Sequence, residues 1–447
     1  MGEYIIELSK YFIGAIMVVY TLCSFYSLHL KKEYHKTPVY SIQNILLFLM
    51  QTFCFADLIL ITEDIQYLFL FAFVEVFLAM ALFLVPTIYE KCNRTLLNNM
   101  CMLLGTGLMM ISRLSYEKAI RQYVIILVSL IISLLIPYIF TKVRFLKKMT
   151  WLYAAVGIGL LSYVLILGEF TRGSYISMEI AGLTFQPSEF VKILFVFFLA
   201  GALWENTSFL RVLITALLAG MHVIVLVVSK DLGAALIFFV AYVLVVFVAT
   251  RNYFYLIAGT IGGSIAAVIA YRMFSHVRIR VLAWQDPWSY IDNQGYQITQ
   301  SLFAVGSGSW FGMGLLKGDP TAIPYVSVDF IFSSICEELG VLFGICIILI
   351  CLSLFLAVMK MALQIKDRFY QLIVYGIGIM YIFQIFLTVG GGIKFIPLTG
   401  VTLPFISYGG SSVMSTMMMF FIIQGIYIRL QQEGERDVEG FERNGRQ

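Results

Sequence analysis

VDFIFSSICEELGVLFGICIILICLSLFLAVM, residues 328–359, decides the class of this chain. Residues 339–359 carry no charge, and about 20 such residues in a helix cross the hydrocarbon core of a bilayer. Further runs of this kind lie near 11–30, 38–62, 66–89, 96–112, 119–141, 150–168, 187–204, 210–228, 232–249, 254–274, 369–392 and 404–428. With 328–359 counted as one span, the sequence predicts about 13 transmembrane segments in an all-α, polytopic helical membrane protein. Composition agrees. Of 447 residues, 60% are hydrophobic and 13% charged, with a mean hydropathy of +0.91. A soluble domain carries about a quarter charged residues, and its surface could not hide this much apolar area.

The balance of 30 basic against 26 acidic residues, net +4, speaks against nucleic acid as a partner. Seven cysteines form no CxxC pair and read as small buried hydrophobes, and the four histidines lack metal-ligand spacing. Glu3 and Glu7 precede the first run while Lys31, Lys32 and Lys36 follow it, the reverse of a cleavable signal, so that run is expected to remain as a helix. Placing the N-terminus outside and the C-terminus inside puts the Lys142–Lys148 cluster, Arg94, Lys360, Lys366, Arg144 and Arg446 on the cytoplasmic side. The connections near 169–188, 275–327 and 393–403 then face outward. The polar tail, residues 431–447, is expected to be disordered in the cytoplasm.

Ionisable groups at membrane depth are costly and usually functional. Glu189 and Lys192, three residues apart behind Pro187, share a helical face. They read either as a self-neutralising pair or as site residues. The loop HVRIRVLAWQDPWSYIDNQGYQITQ (276–300) sets His276, Arg278 and Arg280 ahead of Asp286 and Asp292, with Gln297 and Gln300 following. Guanidinium forks suit phosphate oxygens, aromatic faces suit sugar rings, and a carboxylate could be a general base or metal ligand. An interfacial amphipathic segment fits the same composition. The glycines of AVGSGSWFGMGLLKG (304–318) permit close backbone approach but make no P-loop. On a continuous helix, Asp329 and Glu337 would lie about 12 Å apart in rise and could border one cavity, with Glu338 pointing elsewhere. Asp231 sits beside Lys230 at an outer mouth, Lys394 and Ser407 surround the last outer turn, and Asp57 could pair with Glu75. Irregular backbone at that depth lines a cavity or is buried in protein. These residues predict an outward-facing cavity for an amphiphile carrying phosphate, with catalysis and transport both open.

The strings FQPSEFVK (185–192), DLGAALIF (231–238), R-x5-DP-x7-GYQITQSLFAVGSG (280–308), GMGLLKG (312–318), VDFIF…EELG (328–340) and PLTGVTLPFISYGGSS (397–412) occur in one order. In this the chain resembles the SEDS family, the FtsW, RodA and SpoVE group, over about residues 96–430. The resemblance implies ten family spans, with residues 1–95 as three additional N-terminal segments. It implies a peptidoglycan glycosyltransferase that polymerises lipid II outside the bacterial cytoplasmic membrane, inverting the sugar and releasing undecaprenyl pyrophosphate, in division, elongation or sporulation. It also implies a class B penicillin-binding transpeptidase as partner, besides membrane lipids. A loop aspartate would be the base, Asp292 favoured over Asp286, because many members carry an aspartate where this chain has Tyr290. Arg280, Arg278, Lys192 and Lys394 would meet the pyrophosphate, with or without a divalent cation (Mg or Mn), while Glu189, Asp329, Glu337, Gln297, Gln300 and Ser407 would shape the site. Ser229-Lys230-Asp231, Tyr175-Ile176 and Gly308-Ser309 are further departures from the family pattern. A flippase for a lipid-linked precursor and a non-catalytic scaffold for a transpeptidase are the alternatives.

Overall fold

The computed structural model describes residues 2–30, 32–142, 145–171, 174–180 and 183–444. Lys31, Arg144 and Arg446, which entered the charge reading, lie outside them. Three N-terminal helices, α1 (Gly2–His29), α2 (Glu33–Thr62) and α3 (Ile65–Ile88), precede α4 (Arg94–Leu114), α5 (Tyr116–Lys142) and α6 (Thr150–Leu167). A three-stranded antiparallel sheet follows: β1 (Glu169–Thr171), β2 (Ser174–Ile180) and β3 (Leu183–Phe185), in that order, with Thr171 opposite Ser174 and Ile180 opposite Leu183. The chain continues through α7 (Pro187–Leu203), α8 (Phe209–Val228), α9 (Leu232–Thr250), α10 (Tyr253–Met273), α11 (Ser275–Gln285) and α12 (Tyr296–Gly308). It ends with α13 (Ile331–Leu339), α14 (Val341–Gln364), α15 (Arg368–Gly392) and α16 (Gly410–Asn444).

Among the described residues twelve helices are long and apolar enough to cross a membrane. The run expected at 187–204 is the 17-residue α7, at the short limit for a span. Short polar breaks start the helices by capping. Asp64, Asn93, Asp231, Asn252 and Asp367 each accept a backbone N–H from the first turn of α3, α4, α9, α10 and α15, and Pro187 opens α7. The least apolar span, α4, is wholly buried, whereas α10 buries none of its spanning window. That inversion suits a bilayer, where polar and small side chains belong between helices and apolar ones against lipid.

The structure departs from the sequence reading in three places. Residues 328–359 are not one span, because Gly340 (φ 90°) separates α13 from α14. A Cβ there would stand 2.4 Å from the Trp310 carbonyl, so the break is built for glycine. The long outer connection carries two helices, α11 and α12. Finally, α16 continues as helix to Asn444, into the stretch expected to be disordered. Elongating an existing helix costs far less than nucleating one, and the Arg429–Glu433 pair (2.8 Å) spans one turn at the start of this extension.

Candidate active site

At the loop-rich end a cavity of about 1110 Å³ opens between α5, α7, α9, α11 and the segments 293–298, 324–329 and 398–412. The first turn of α7 reaches its floor. Lys192 Nζ donates to Glu189 Oε1 and to Gln384 Oε1 of α15, both at 2.8 Å. Ser415 of α16 donates to Glu189 Oε2 at 3.0 Å. Gln384 Nε2 in turn donates to the Thr402 carbonyl at 3.0 Å, and Thr388 donates to the Val401 carbonyl at 3.0 Å. One network therefore fixes α7, α15, α16 and the wall segment at Val401 and Thr402.

Asp231 caps α9 by accepting the Ala234 N–H at 3.0 Å, with Ser188 Oγ and Gln186 Nε2 both at 3.4 Å. Burial pushes its carboxyl above the ordinary value, opposed by the Ala234 bond and reinforced by the nearby Glu189 charge. Arg280 of α11 donates to the carbonyls of Leu398 (3.2 Å) and Thr399 (2.9 Å). Trp284, one turn later, donates to the Lys394 carbonyl at 3.1 Å. Burial pulls the Arg280 guanidinium down, while the charges of Asp231 and Asp329 hold it up. Gly400 (φ 76°) packs between Asp329 and Arg280: a Cβ there would lie 3.9 Å from Asp329 Oδ2 and 4.0 Å from Arg280 Nη2. The lining thus alternates cations (Lys192, Lys230, Arg280, Arg121) with carboxylates (Glu189, Asp231, Asp329), and the rings of Phe185, Tyr296, Tyr325 and Tyr408 face the same space.

Of the residues singled out in the sequence, Lys192, Glu189, Lys230, Asp231, Arg280, Gln297 and Asp329 come together here. The others do not line the cavity. Asp286 is exposed and holds the turn after α11, accepting Ser289 Oγ at 2.6 Å and Ser289 N–H at 3.2 Å. Those two bonds keep its carboxyl below the ordinary value. Asp292 is exposed on the rim, next to lining residues Asn293 and Gln294. Arg278 is exposed on α11, and Gln300 lies one turn past Gln297. Glu337 does not share the cavity with Asp329, because α13 begins only at Ile331 and carries Glu337 away to accept the Asp319 N–H at 3.0 Å. Glu338 pairs with Arg113 at 2.7 Å. Lys394 contributes its carbonyl to Trp284, and buried Ser407 bonds Leu403 N–H (2.8 Å) and the Val328 carbonyl. Asp57 accepts from Ser9 at 2.5 Å. The network also draws in Gln384 and Ser415, which the sequence reading does not single out; a lone mid-span glutamine is the signal for the first. Among the described residues no three His, Cys, Asp or Glu side chains form a cluster able to hold a metal ion.

The FtsW/RodA/SpoVE cell cycle protein family matches residues 94–432, from the start of α4 into the extension of α16. The chain belongs to that family. It is 32% identical over 363 residues to peptidoglycan glycosyltransferase RodA of Mycobacterium leprae, covering 74% of this chain and 77% of that one. It is also 32% identical over 363 residues to a probable peptidoglycan glycosyltransferase FtsW of Pseudoalteromonas translucida, covering 76% and 89%. Its fold resembles a chain of a peptidoglycan synthase complex that coordinates polymerization and crosslinking (TM-score 0.63, 25% identity, 75% of this chain and 97% of that one). RodA of Thermus thermophilus shares the fold as well (TM-score 0.58, 22% identity, 75% and 96%). Within this FtsW/RodA/SpoVE chain, the cavity and its charged lining all fall inside the matched residues.

Proposed function

We propose that this chain is a peptidoglycan glycosyltransferase that polymerises lipid II at the outer face of the bacterial cytoplasmic membrane. The observation that carries this reading is the cavity in which Arg280 stands beside both Asp231 and Asp329, on the fold of this family. The N-terminus is outside and the C-terminus inside. In support, Glu7 of α1 pairs with Lys317 at the loop-rich end (3.3 Å), whereas Lys147–Asp367 and Arg429–Tyr370 (both 2.7 Å) lie at the opposite, cation-rich end.

In the reaction, the 4-hydroxyl of one sugar attacks the anomeric carbon of the lipid-linked donor. The bond from that carbon to the pyrophosphate oxygen breaks, undecaprenyl pyrophosphate departs with the electron pair, and the anomeric centre inverts. Asp329, which lines the cavity next to Gly400 and Arg280, takes the hydroxyl proton. Arg280 and Lys230 face the charge that develops on the leaving group, and Lys192 keeps Glu189 neutralised beneath it. The lining does not make a dedicated metal cage. A magnesium or manganese ion would be held by pyrophosphate oxygens with one or two of these carboxylates, and no step here depends on it. The crosslinking partner is a class B penicillin-binding transpeptidase.

The test is polymerisation of labelled lipid II by the purified protein, with and without its cognate transpeptidase. Wild type is expected to make glycan strands, Asp329→Asn to lose activity by roughly 100-fold or more, and Asp286→Ala to keep it. Full activity in Asp329→Asn with loss in Asp292→Ala would move the base to the rim. No strands from wild type, even with the partner present, would end the glycosyltransferase reading.

A further inference from the structure

The family match begins at residue 94, so α1–α3 lie outside it. Even so, α1 is bonded into the bundle at both ends, and α2 with it at the cation-rich one. Toward the cation-rich end, Ser24 of α1 donates to Asn99 of α4 (2.8 Å) and Gln43 of α2 donates to Ser24 (2.9 Å). Asn98 donates to Gln43 (3.3 Å), and Tyr40 bonds Thr95 (3.0 Å). All six side chains are buried. At the loop-rich end, Ser9 holds buried Asp57 of α2, and the same turn of α1 reaches the segment 309–318. Lys10 Nζ donates to the Gly312 carbonyl at 3.4 Å, Glu7 pairs with both Lys10 (2.5 Å) and Lys317 (3.3 Å), and the Tyr11 ring lies 5.3 Å from that of Phe311.

That segment is the far end of a hairpin. Met313 and Gly314 donate to the carbonyls of Glu337 and Glu338 (both 2.9 Å), while Val341 and Leu342 donate to those of Ser309 (2.9 Å) and Trp310 (3.2 Å). Arg113 ties Glu338 to the Gly318 carbonyl (3.0 Å). From this base α12 and α13 run side by side, joined by a Ser301–Ser333 bond of 2.5 Å. Their other ends deliver Gln297 and Asp329 to the cavity. The nine residues of α13 span about 14 Å, so a shift at the base is carried along the helix to Ile331, two residues from Asp329.

We infer that α1 is a positioning element for the outer site, with Lys10 and Glu7 as positioning residues that hold the base of the α12–α13 hairpin. Through α1, the segment outside the family match thereby takes part in the reaction without touching substrate. The kinetic half of this inference rests on the proposed glycosyltransferase activity, whereas the anchoring half does not.

The experiment uses the full-length protein in detergent, as wild type, Lys10→Ala, Glu7→Ala and Lys10→Arg. Amide hydrogen exchange is followed over 309–319 and α13, alongside lipid II polymerisation kinetics and thermal stability. Partly exposed ion pairs are modest, so the alanine variants are expected to exchange roughly two- to fivefold faster at 309–319. Their kcat should fall by a similar factor at unchanged KM, with Lys10→Arg restoring both. Unchanged exchange at 309–319 would overturn the anchor, and faster exchange with unchanged kcat would overturn the positioning role. If wild type makes no polymer, the glycosyltransferase reading fails and the exchange data alone decide the anchor.

Discussion

Lys192→Met removes one charge from a pair whose side chains are 1% and 8% exposed, and leaves Glu189 behind. At 2.8 Å the pair gains about 6 kcal/mol of Coulomb energy with an effective dielectric near 20. Desolvating the two ions costs several kcal/mol each, so the intact pair contributes little net stability. Removing the lysine alone is a different matter. The stranded carboxylate keeps only the Ser415 hydroxyl, and Gln384 Oε1 loses its donor. The expected loss is about 3–5 kcal/mol. Lys192→Met combined with Glu189→Gln removes both charges, and a glutamine oxygen can still accept from Ser415. The double variant is therefore expected within about 1–2 kcal/mol of wild type, well above the single one. Denaturant titration of the purified protein in detergent, read by tryptophan fluorescence, measures all three. A double variant no more stable than Lys192→Met would refute the argument, because the defect would then be lost packing or lost Gln384 bonding rather than an uncompensated charge.

Gly308→Ala would place a Cβ 1.9 Å from the Cys336 carbonyl oxygen and 2.7 Å from Glu337 Cα, forcing α12 and α13 apart, whereas at Gly306 nothing lies within 4 Å. Thermal denaturation should show Gly308→Ala destabilised by about 1–3 kcal/mol or more and Gly306→Ala unchanged or slightly stabilised; equal effects would disprove the close approach. Asp286 has a carboxyl held below its ordinary value by Ser289, so its support for the turn is present above the unfolded value near 3.8 and is lost as pH falls through the lower folded value. Hydrogen exchange of residues 286–291 should accelerate across that acid window in wild type and already be fast at neutral pH in Ser289→Ala.

Hydropathy made the spans legible because a bilayer leaves a helix few alternatives, and Asn or Asp caps marked several starts. It failed at 328–359, where apolar residues run on but the chain turns. The turn depends on a positive φ at Gly340 and on the backbone of 309–314 lying against it, and neither can be seen from composition. That error spread to the site, since the shared-cavity placement of Asp329 and Glu337 assumed one continuous helix. The sheet at 169–185 had a signal that went unused: SYISMEI sits between Arg-Gly and Ala-Gly pairs, the punctuation of short hairpins. The Glu189–Lys192 pair was readable because its spacing is local. Its partners Gln384 and Ser415 come from α15 and α16, and no local pattern could connect them. The loop carboxylates stand outside the lining for the opposite reason. Asp286 and Asp292 are concentrated in a polar loop because such loops tolerate solvated charge, whereas Asp231, whose charge burial opposes, and half-buried Asp329 both act on the Arg280 guanidinium. Burial alone does not mark the cavity, since Asp57 and Glu338 are buried elsewhere; what marks it is Arg280 set against two half-buried carboxylates, Asp231 and Asp329. Their cost is met by a wall whose geometry depends on contacts between segments far apart in sequence, including the tie from α1 to Gly312.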